Sequence, residues 1–533
     1  SEWVRADAII GNPPFLGGKQ LRLNLGGIPG VVYGYFAFLF LTPLLAETIF
    51  PSISAFNALS GGICVGLFIL PIITSLTEDA FQSIPLEMRN SGYALALTKQ
   101  EVIRLILLPI AFPRILGAIA LAASIALGET MIVAIASGQK PNLTLNPLES
   151  IETITSFILR VSLGGIEFDS LIFKTIFTLG FILFIVTLTL NTLNYWLQHR
   201  QDKTIYIENT KQLFSGLVDN SINQNNYNYL PLSHENNQIA ENLTTSPLRI
   251  WLDKILGIIG FLSAIVGVLF IILLFWQVGS RGFSNLNWTF FSSFTSRKPE
   301  ESGILAALGG SLWLFILTLV MVVPLGVGSA IYLEEYRRDN VFNRLLEVSI
   351  ANLAAIPSIL YGLLGLEIFV RVMKPITGGY SILSGALVLT LITLPTMIVT
   401  SRSALKNAGK VLREGGYAVG MTKEQVLQKI IIPSALPSII TGILLSQIRA
   451  LAETAALIGV GASASVRFLP SLNWDGLTSS YTTLPVQIFY WLQSPKEEVQ
   501  SLAAAAIIVL VVILLVLSLI ALWIREFFDV RSV

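Results

Sequence analysis

Ten stretches of this chain approach the ~20 consecutive apolar residues that a helix needs to cross a bilayer. They run near residues 31–50, 58–76, 110–137, 171–196, 252–277, 304–332, 346–370, 380–400, 434–460 and 500–524. With 53% hydrophobic and 13% charged residues and a mean hydropathy of +0.71, the expected class is an all-α integral membrane protein, not a soluble enzyme domain. Its immediate surroundings are then membrane lipid. The formal net charge of +1 offers no global field for nucleic acid, so no nucleic-acid partner is expected and an anion site must come from local charges. Cys64 is the one cysteine and lies in an apolar run, while His199 and His234 lie outside such runs, so neither disulfides nor a metal site is indicated. The sequence opens on Ser1 without a basic, apolar leader, which reads as a partial frame whose targeting depends on the spans.

An Asn-rich polar segment, residues 198–248 with "NSINQNNYNY", separates four apolar runs from six and reads as a linker. The two sides repeat one another. "GYALALTKQEVIRLILLPIAFP" begins at Gly92 and "GYAVGMTKEQVLQKIIIPSALP" at Gly416, 324 positions on. The same offset carries Glu129-Thr130 of "ALGET" onto Glu453-Thr454 of "ALAET". "GIPGVVYGYF" from Gly27 matches "AIPSILYGLL" from Ala355 at an offset of 328, so a small gap lies between the motifs. Parallel repeats of this kind predict two similar helix bundles around a pseudo-two-fold axis with a pathway between them. Lys and Arg gather in alternate loops, at Arg89, Lys99 and Arg104, at Arg200 and Lys203, at Arg337, Arg338 and Arg344, and at Lys406, Lys410, Arg413, Lys423 and Lys429. That distribution places those loops, the linker and both termini on the cytoplasmic side.

Each repeated basic loop has small residues, a Thr-Lys start, an amphipathic stretch and a proline. In the second, Glu414, Gly415 and Gly416 precede Gly420, Ile430, Ile432 and Pro433. In the first, Asn90, Ser91 and Gly92 precede Ala96, Ile106, Leu108 and Pro109. Such a loop makes two short helices at an angle with an apolar face for a partner's groove; the bland alternative is a solvated hairpin between spans. Carboxylates within apolar spans are costly, which makes Glu129, Thr130, Glu453 and Thr454 candidate pathway residues. Arg449 stands four residues before Glu453, so on a continuous helix the two would pair while the guanidinium still offered donors to an oxyanion. The competing reading is a purely structural Arg-Glu pair. Ile125 occupies the equivalent place in the first half, which therefore lacks the Arg.

The loop pattern resembles the coupling loop of binding-protein-dependent ABC importers. "IPGVVYG", "SIALGETMIVAIASGQ", "IPSILYGLLGLEIFV" and "IRALAETAALIGVGA" resemble the phosphate-specific permeases PstC and PstA. The resemblance implies two MetI-like units: residues 26–197, like the last four spans of PstC and lacking its first two, and residues 249–533, like a complete six-span PstA with "YLEEY" at Tyr332–Tyr336. It further implies an ABC ATPase dimer and a periplasmic phosphate-binding protein as partners, a full-length PstC-like permease as a further one, and a bacterial inner membrane. Gly92, Ala96, Ile106, Pro109, Glu414, Gly416, Gly420, Ile430 and Pro433 would then receive the ATPase stroke. No Gly-x-x-x-x-Gly-Lys-Ser/Thr loop occurs, so no cofactor is expected on this chain and ATP would be used by partner subunits. Residues 1–25 differ: "ADAIIGNPPFLGGKQLR" resembles the Asn-Pro-Pro-Phe motif of amino-methylating DNA methyltransferases, in which Asn12 to Phe15 would hold a flipped base. A stretch that short cannot fold a catalytic core, so it reads as a remnant. Import of another oxyanion, such as molybdate or sulfate, and a non-transporting relic remain the competing functions.

Overall fold

The computed structural model describes residues 28–94, 97–163, 170–199, 247–337 and 356–529, together with 340, 343, 346, 349, 350 and 352–354. Among these the secondary structure is helical. The apolar runs fold as helices because only a helix satisfies its own backbone polar groups in hydrocarbon. The polar linker and residues 1–25 lie almost wholly outside the described residues, as does Ala96.

The first half comprises α1 (Gly30–Thr48), α2 (Ala58–Gln82), α3 (Leu86–Ala94), α4 (Lys99–Gly128), α5 (Met131–Ala136), α6 (Ile154–Leu163) and α7 (Leu171–His199). The second comprises α8 (Pro247–Gly282), α9 (Leu305–Tyr336), α10 (358–372), α11 (Ile382–Asn407), α12 (Lys410–Ala418), α13 (Lys423–Ala452), α14 (Ala455–Gly459), α15 (Leu484–Leu492) and α16 (Glu497–Asp529). The starts of α2 to α5 and of α11 to α14 are each 324 positions apart, and those of α1 and α10 are 328 apart. The in-helix prolines follow the same register, Pro71 with Pro395 and Pro113 with Pro437. Even wider π turns recur, at Val102–Leu107 in α4 and Leu427–Ile431 in α13, just ahead of Pro109 and Pro433. A π turn there relieves the clash between a proline ring and the preceding turn.

Nine described helices are long and apolar enough to cross a membrane, four before the linker and five after it. Three of the ten expected spans take a different form. The runs at 110–137 and 434–460 are not single helices: each breaks at its Glu-Thr pair, giving α4 then α5 and α13 then α14. The run at 346–370 breaks at Pro357, whose ψ of 134° starts α10, and α10 is only an eight-residue α-helix followed by a seven-residue π turn. Hydropathy continues through all three breaks, so apolar length alone could not reveal them.

The chain divides into two compact units. One contains Ser1–Ile72, Ala123–Thr189 and Leu274–Val533, and so holds both Glu-Thr breaks. Within it α11 packs on α9 and α13, α16 on α13 and α15, α1 on α5, and α10 on α14. The other contains Ile73–Ala122 and Leu190–Leu273. Its described core, Ala80, Ile84, Val102, Ile106, Leu107 and Ala111, sits where α3 folds back on α4.

Candidate functional site

Both breaks are built alike. After α4 the chain makes a corner at Glu129-Thr130, and Glu129 Oε1 accepts the backbone N–H of Met131 (3.1 Å) and Ile132 (3.3 Å) at the start of α5. After α13, Glu453 has extended backbone (φ −75°, ψ 132°), and its Oε1 accepts the N–H of Thr454 (3.1 Å) and Ala456 (3.2 Å) at the start of α14. Free N–H groups at a helix start take a carboxylate well, which offsets part of the cost of an acidic group among apolar spans. Neither Oε2 makes a hydrogen bond among the described residues, so each carboxylate keeps one oxygen available.

Small residues let the corners sit deep. A Cβ on Gly30 would lie 2.7 Å from Glu129 Oε1, one on Gly34 2.9 Å from Ile135, and one on Gly362 3.0 Å from the backbone of Ala456. Gly34 and Gly362 are repeat equivalents, so each half uses a glycine to seat its short helix. The two corners are neighbours. A Cβ on Gly128 would lie 2.8 Å from Pro357, and α6 packs on α5 as well as on α10 and α14. Thr155 on α6 donates to the Glu129 carbonyl (3.0 Å). Thr130 and Thr454 are both buried; Thr130 Oγ1 donates to Gly128 O (3.2 Å), whereas Thr454 Oγ1 has no partner among the described residues.

Arg449 does not pair with Glu453. The expectation assumed one helix through both residues, but α13 ends at Ala452 and the Glu453 side chain turns away to cap α14. The guanidinium instead donates to Thr396 Oγ1 on α11 (3.0 Å) and to the Ala354 carbonyl (3.3 Å), and no carboxylate lies within ion-pair distance among the described residues. The side chain is exposed, so this cation is positioned by neutral groups with its charge left uncompensated. Gly30, Thr155, Thr396 and Ala354 were not singled out in the sequence; only Gly34, the last residue of "IPGVVYG", which "IPSILYG" repeats as Gly362, carried a signal of close packing.

The repeated basic loops form α3 with the start of α4, and α12 with the start of α13. Thr98 and Thr422 both make capping boxes, with Glu101 and Gln425 respectively returning a side-chain acceptor to the Thr N–H at 3.0 Å. A Cβ on Gly92 would lie 2.8 Å from Ile106 Cδ1, and one on Gly416 2.9 Å from Ile430 Cδ1. These glycines thus allow the loop helix to fold flat against the span that follows. Gly420 turns the chain with φ +81°. Glu414, Pro109 and Pro433 are exposed, and so are Val411, Tyr417 and Val419 around the second loop.

Residues 23–205 and 322–532, well over half the chain, match a family described as "Binding-protein-dependent transport system inner membrane component". The chain is similar to the probable ABC transporter permease protein YqgI of Bacillus subtilis, 32% identical over 234 residues, or 44% of this chain and 76% of the relative. It is similar to the phosphate transport system permease protein PstA homolog of Mycoplasma pneumoniae, 26% identical over 491 residues, or 85% of this chain and 73% of the relative. Phosphate transport system permease protein PstA of Yersinia pestis is 30% identical over 271 residues, covering 50% of this chain and 88% of that protein.

Proposed function

The chain belongs to the binding-protein-dependent transport system inner membrane component family, and from that membership we propose that it is the membrane permease of an ATP-driven importer of inorganic phosphate. The observation that carries this reading is the pair of adjoining corners. Glu129 and Glu453 each hold one carboxylate oxygen on backbone N–H groups and leave the other available, and Arg449 offers an uncompensated guanidinium one turn before the second corner. An Arg fork suits a tetrahedral oxyanion. A carboxylate oxygen accepts a hydrogen bond from a protonated phosphate but is repelled by sulfate, which carries no proton at neutral pH. The phosphate permeases of Mycoplasma pneumoniae and Yersinia pestis among the relatives support phosphate over other oxyanions.

A permease of this family works with ATPase and substrate-binding partners. Here ATP is hydrolysed by an ABC dimer that docks on the exposed apolar residues Val411 and Tyr417 of α12, on Val419 just after it, and on the loop at α3. A periplasmic phosphate-binding protein delivers the anion from the opposite side, and a full-length PstC-like chain is a further partner. The protein spans the bacterial inner membrane many times, with both termini cytoplasmic and no cofactor of its own. Alternating access then moves one repeat against the other around the corners.

The test is labelled phosphate uptake in cells lacking their own high-affinity permeases, supplied with this chain, its ATPase and its binding protein, with sulfate and molybdate in excess. Uptake that resists both competitors is the expected result. Suppression by either competitor would reassign the substrate, and absence of uptake with the chain present in the membrane would overturn the transport reading.

A further inference from the structure

The acidic pair in "YLEEY" joins three elements around the second loop. Residues Tyr332–Tyr336 form a π turn at the end of α9, and this turn carries both acidic residues. Glu334 Oε2 accepts from Arg402 Nε on α11 at 3.0 Å. Glu335 Oε1 accepts from Arg413 on α12 through both Nε (3.1 Å) and Nη2 (2.8 Å). Arg413 Nη2 also donates to the Leu405 carbonyl at the end of α11 (2.8 Å). Lys423, which opens α13, donates to the Glu335 carbonyl and lies 4.8 Å from the centre of the Tyr336 ring. The Glu335 side chain is only 9% exposed and that of Arg413 17%, so this pair is shielded from solvent and salt.

The first repeat isolates what the acidic pair adds. Arg89 is the equivalent of Arg413, and it donates to the Phe81 carbonyl (2.8 Å), itself the equivalent of Leu405. Yet Arg89 Nε is buried with no partner among the described residues, where Arg413 Nε meets Glu335. The repeat thus supplies the loop and its carbonyl anchor twice, but the charged tie to a further span is described only in the second half.

We propose that Glu334 and Glu335 are a transmission latch, positioning residues that tie the α12 loop to the body formed by α9 and α11 so that a push on the loop moves the spans. The inference rests on the proposed permease function. A buried ion pair contributes little net stability compared with an apolar substitute, but it fixes geometry, which is what a mechanical link requires. Without the latch, α12 can shift under the ATPase while α9 and α11 stay in place.

The experiment measures phosphate transported per ATP hydrolysed, in proteoliposomes containing the full chain with its ATPase and binding protein. The variants are Glu334→Gln/Glu335→Gln and the swap Glu334→Arg/Arg402→Glu. The Gln pair is expected to retain complex assembly and ATP hydrolysis while the transported ratio falls at least about fivefold, the lower end of typical coupling energies. The swap is expected to recover most of that ratio relative to Glu334→Arg alone. An unchanged ratio, or uptake and hydrolysis falling together, would overturn the latch and leave Glu334 and Glu335 as ordinary packing residues. Wild-type complexes that transport no phosphate would instead refute the permease reading on which the latch depends.

Discussion

Glu453 caps the short helix that follows it through the Ala456 N–H, 3.2 Å from Oε1, and Glu129 does the same in the other half through Ile132 at 3.3 Å. Two repeats have therefore kept both the acidic residue and the use of one of its oxygens. The arrangement separates two roles that substitution can distinguish. Glu→Ala at either position removes the cap and the charge, whereas Glu→Gln keeps an acceptor oxygen for the cap and removes only the charge. Glu129→Ala and Glu453→Ala should each cost about 1 kcal/mol of stability, the usual value of a lost cap, and the Gln variants less. Transport should fall in all four, with Glu453→Gln losing discrimination between phosphate and sulfate. Thermal unfolding of the purified chain beside competition uptake would check this. A Gln variant that kept full selectivity would remove the carboxylate from the pathway.

Arg449 bridges Thr396 on α11 and the carbonyl of Ala354. Lysine carries the charge but is a single point donor and cannot span both anchors. Arg449→Lys should raise the KM for phosphate by roughly tenfold or more, on the scale of one hydrogen bond to a charged group (~1.5–3 kcal/mol). Arg449→Gln should lower uptake further, and Thr396→Val, which frees one end of the guanidinium, should have a smaller effect in the same direction. Initial uptake rates across phosphate concentrations separate these cases. Equal KM values in all three would mean that the cation does not meet the substrate.

Much of this arrangement was legible in the sequence because the repeat is nearly free of gaps. The 324-residue offset between Gly92 and Gly416 reappears in the bounds of α3 and α12, both ends of α4 and α13, and the starts of α5 and α14. The corners were not legible. Met131–Ala136 and Ala455–Gly459 are as apolar as the spans before them, and hydropathy does not register a change of backbone direction. The expected Arg449–Glu453 pair failed for that reason, since spacing of four brings side chains together only on an unbroken helix. Pro357 did carry a warning that the run at 346–370 would break. Contacts such as Glu335 with Arg413 join residues 78 positions apart, and one sequence contains no term that couples them.

The packing glycines of the two loops make a matched prediction. Ala at Gly92 would press on Ile106 and Val102, and Ala at Gly416 on Ile430 and Val426, all from under 3.0 Å. Each substitution should cost about 1–3 kcal/mol, the range for overpacking. Gly415, beside Gly416 within α12, faces open space, so Gly415→Ala should instead stabilise by about 0.4–1 kcal/mol by narrowing the unfolded ensemble. Thermal shifts of the three variants test the pair against its neighbour. Destabilisation by Gly415→Ala equal to that of Gly416→Ala would contradict the packing described.

Glu149 gives the loop between α5 and α6 a dependence on acid. Hydrogen bonds from Thr144, Asn146 and Asn142 favour its charged form and hold its pKa below the ordinary carboxylate value. The Asn146 and Asn142 amides each lie 3.1 Å from it. The carbonyls of Pro147, Leu148 and Glu149 in turn accept the N–H groups of Leu59, Ser54 and Ala58, so this loop caps the start of α2. A depressed folded-state pKa means that the contribution is present above the unfolded pKa and is lost as pH falls through the lower folded value. Acidification below the ordinary carboxylate range of about 4 should therefore release the loop. In Glu149→Gln the neutral amide has no charge to lose, so the cap should be weaker at neutral pH and insensitive to acid. Hydrogen exchange at the amides of Ser54, Ala58 and Leu59, read as the ratio of variant to wild type at each pH, removes the intrinsic effect of pH on exchange. That ratio should exceed one near neutrality and approach one in acid. A ratio of one throughout would show that the Glu149 charge does not hold the loop to α2.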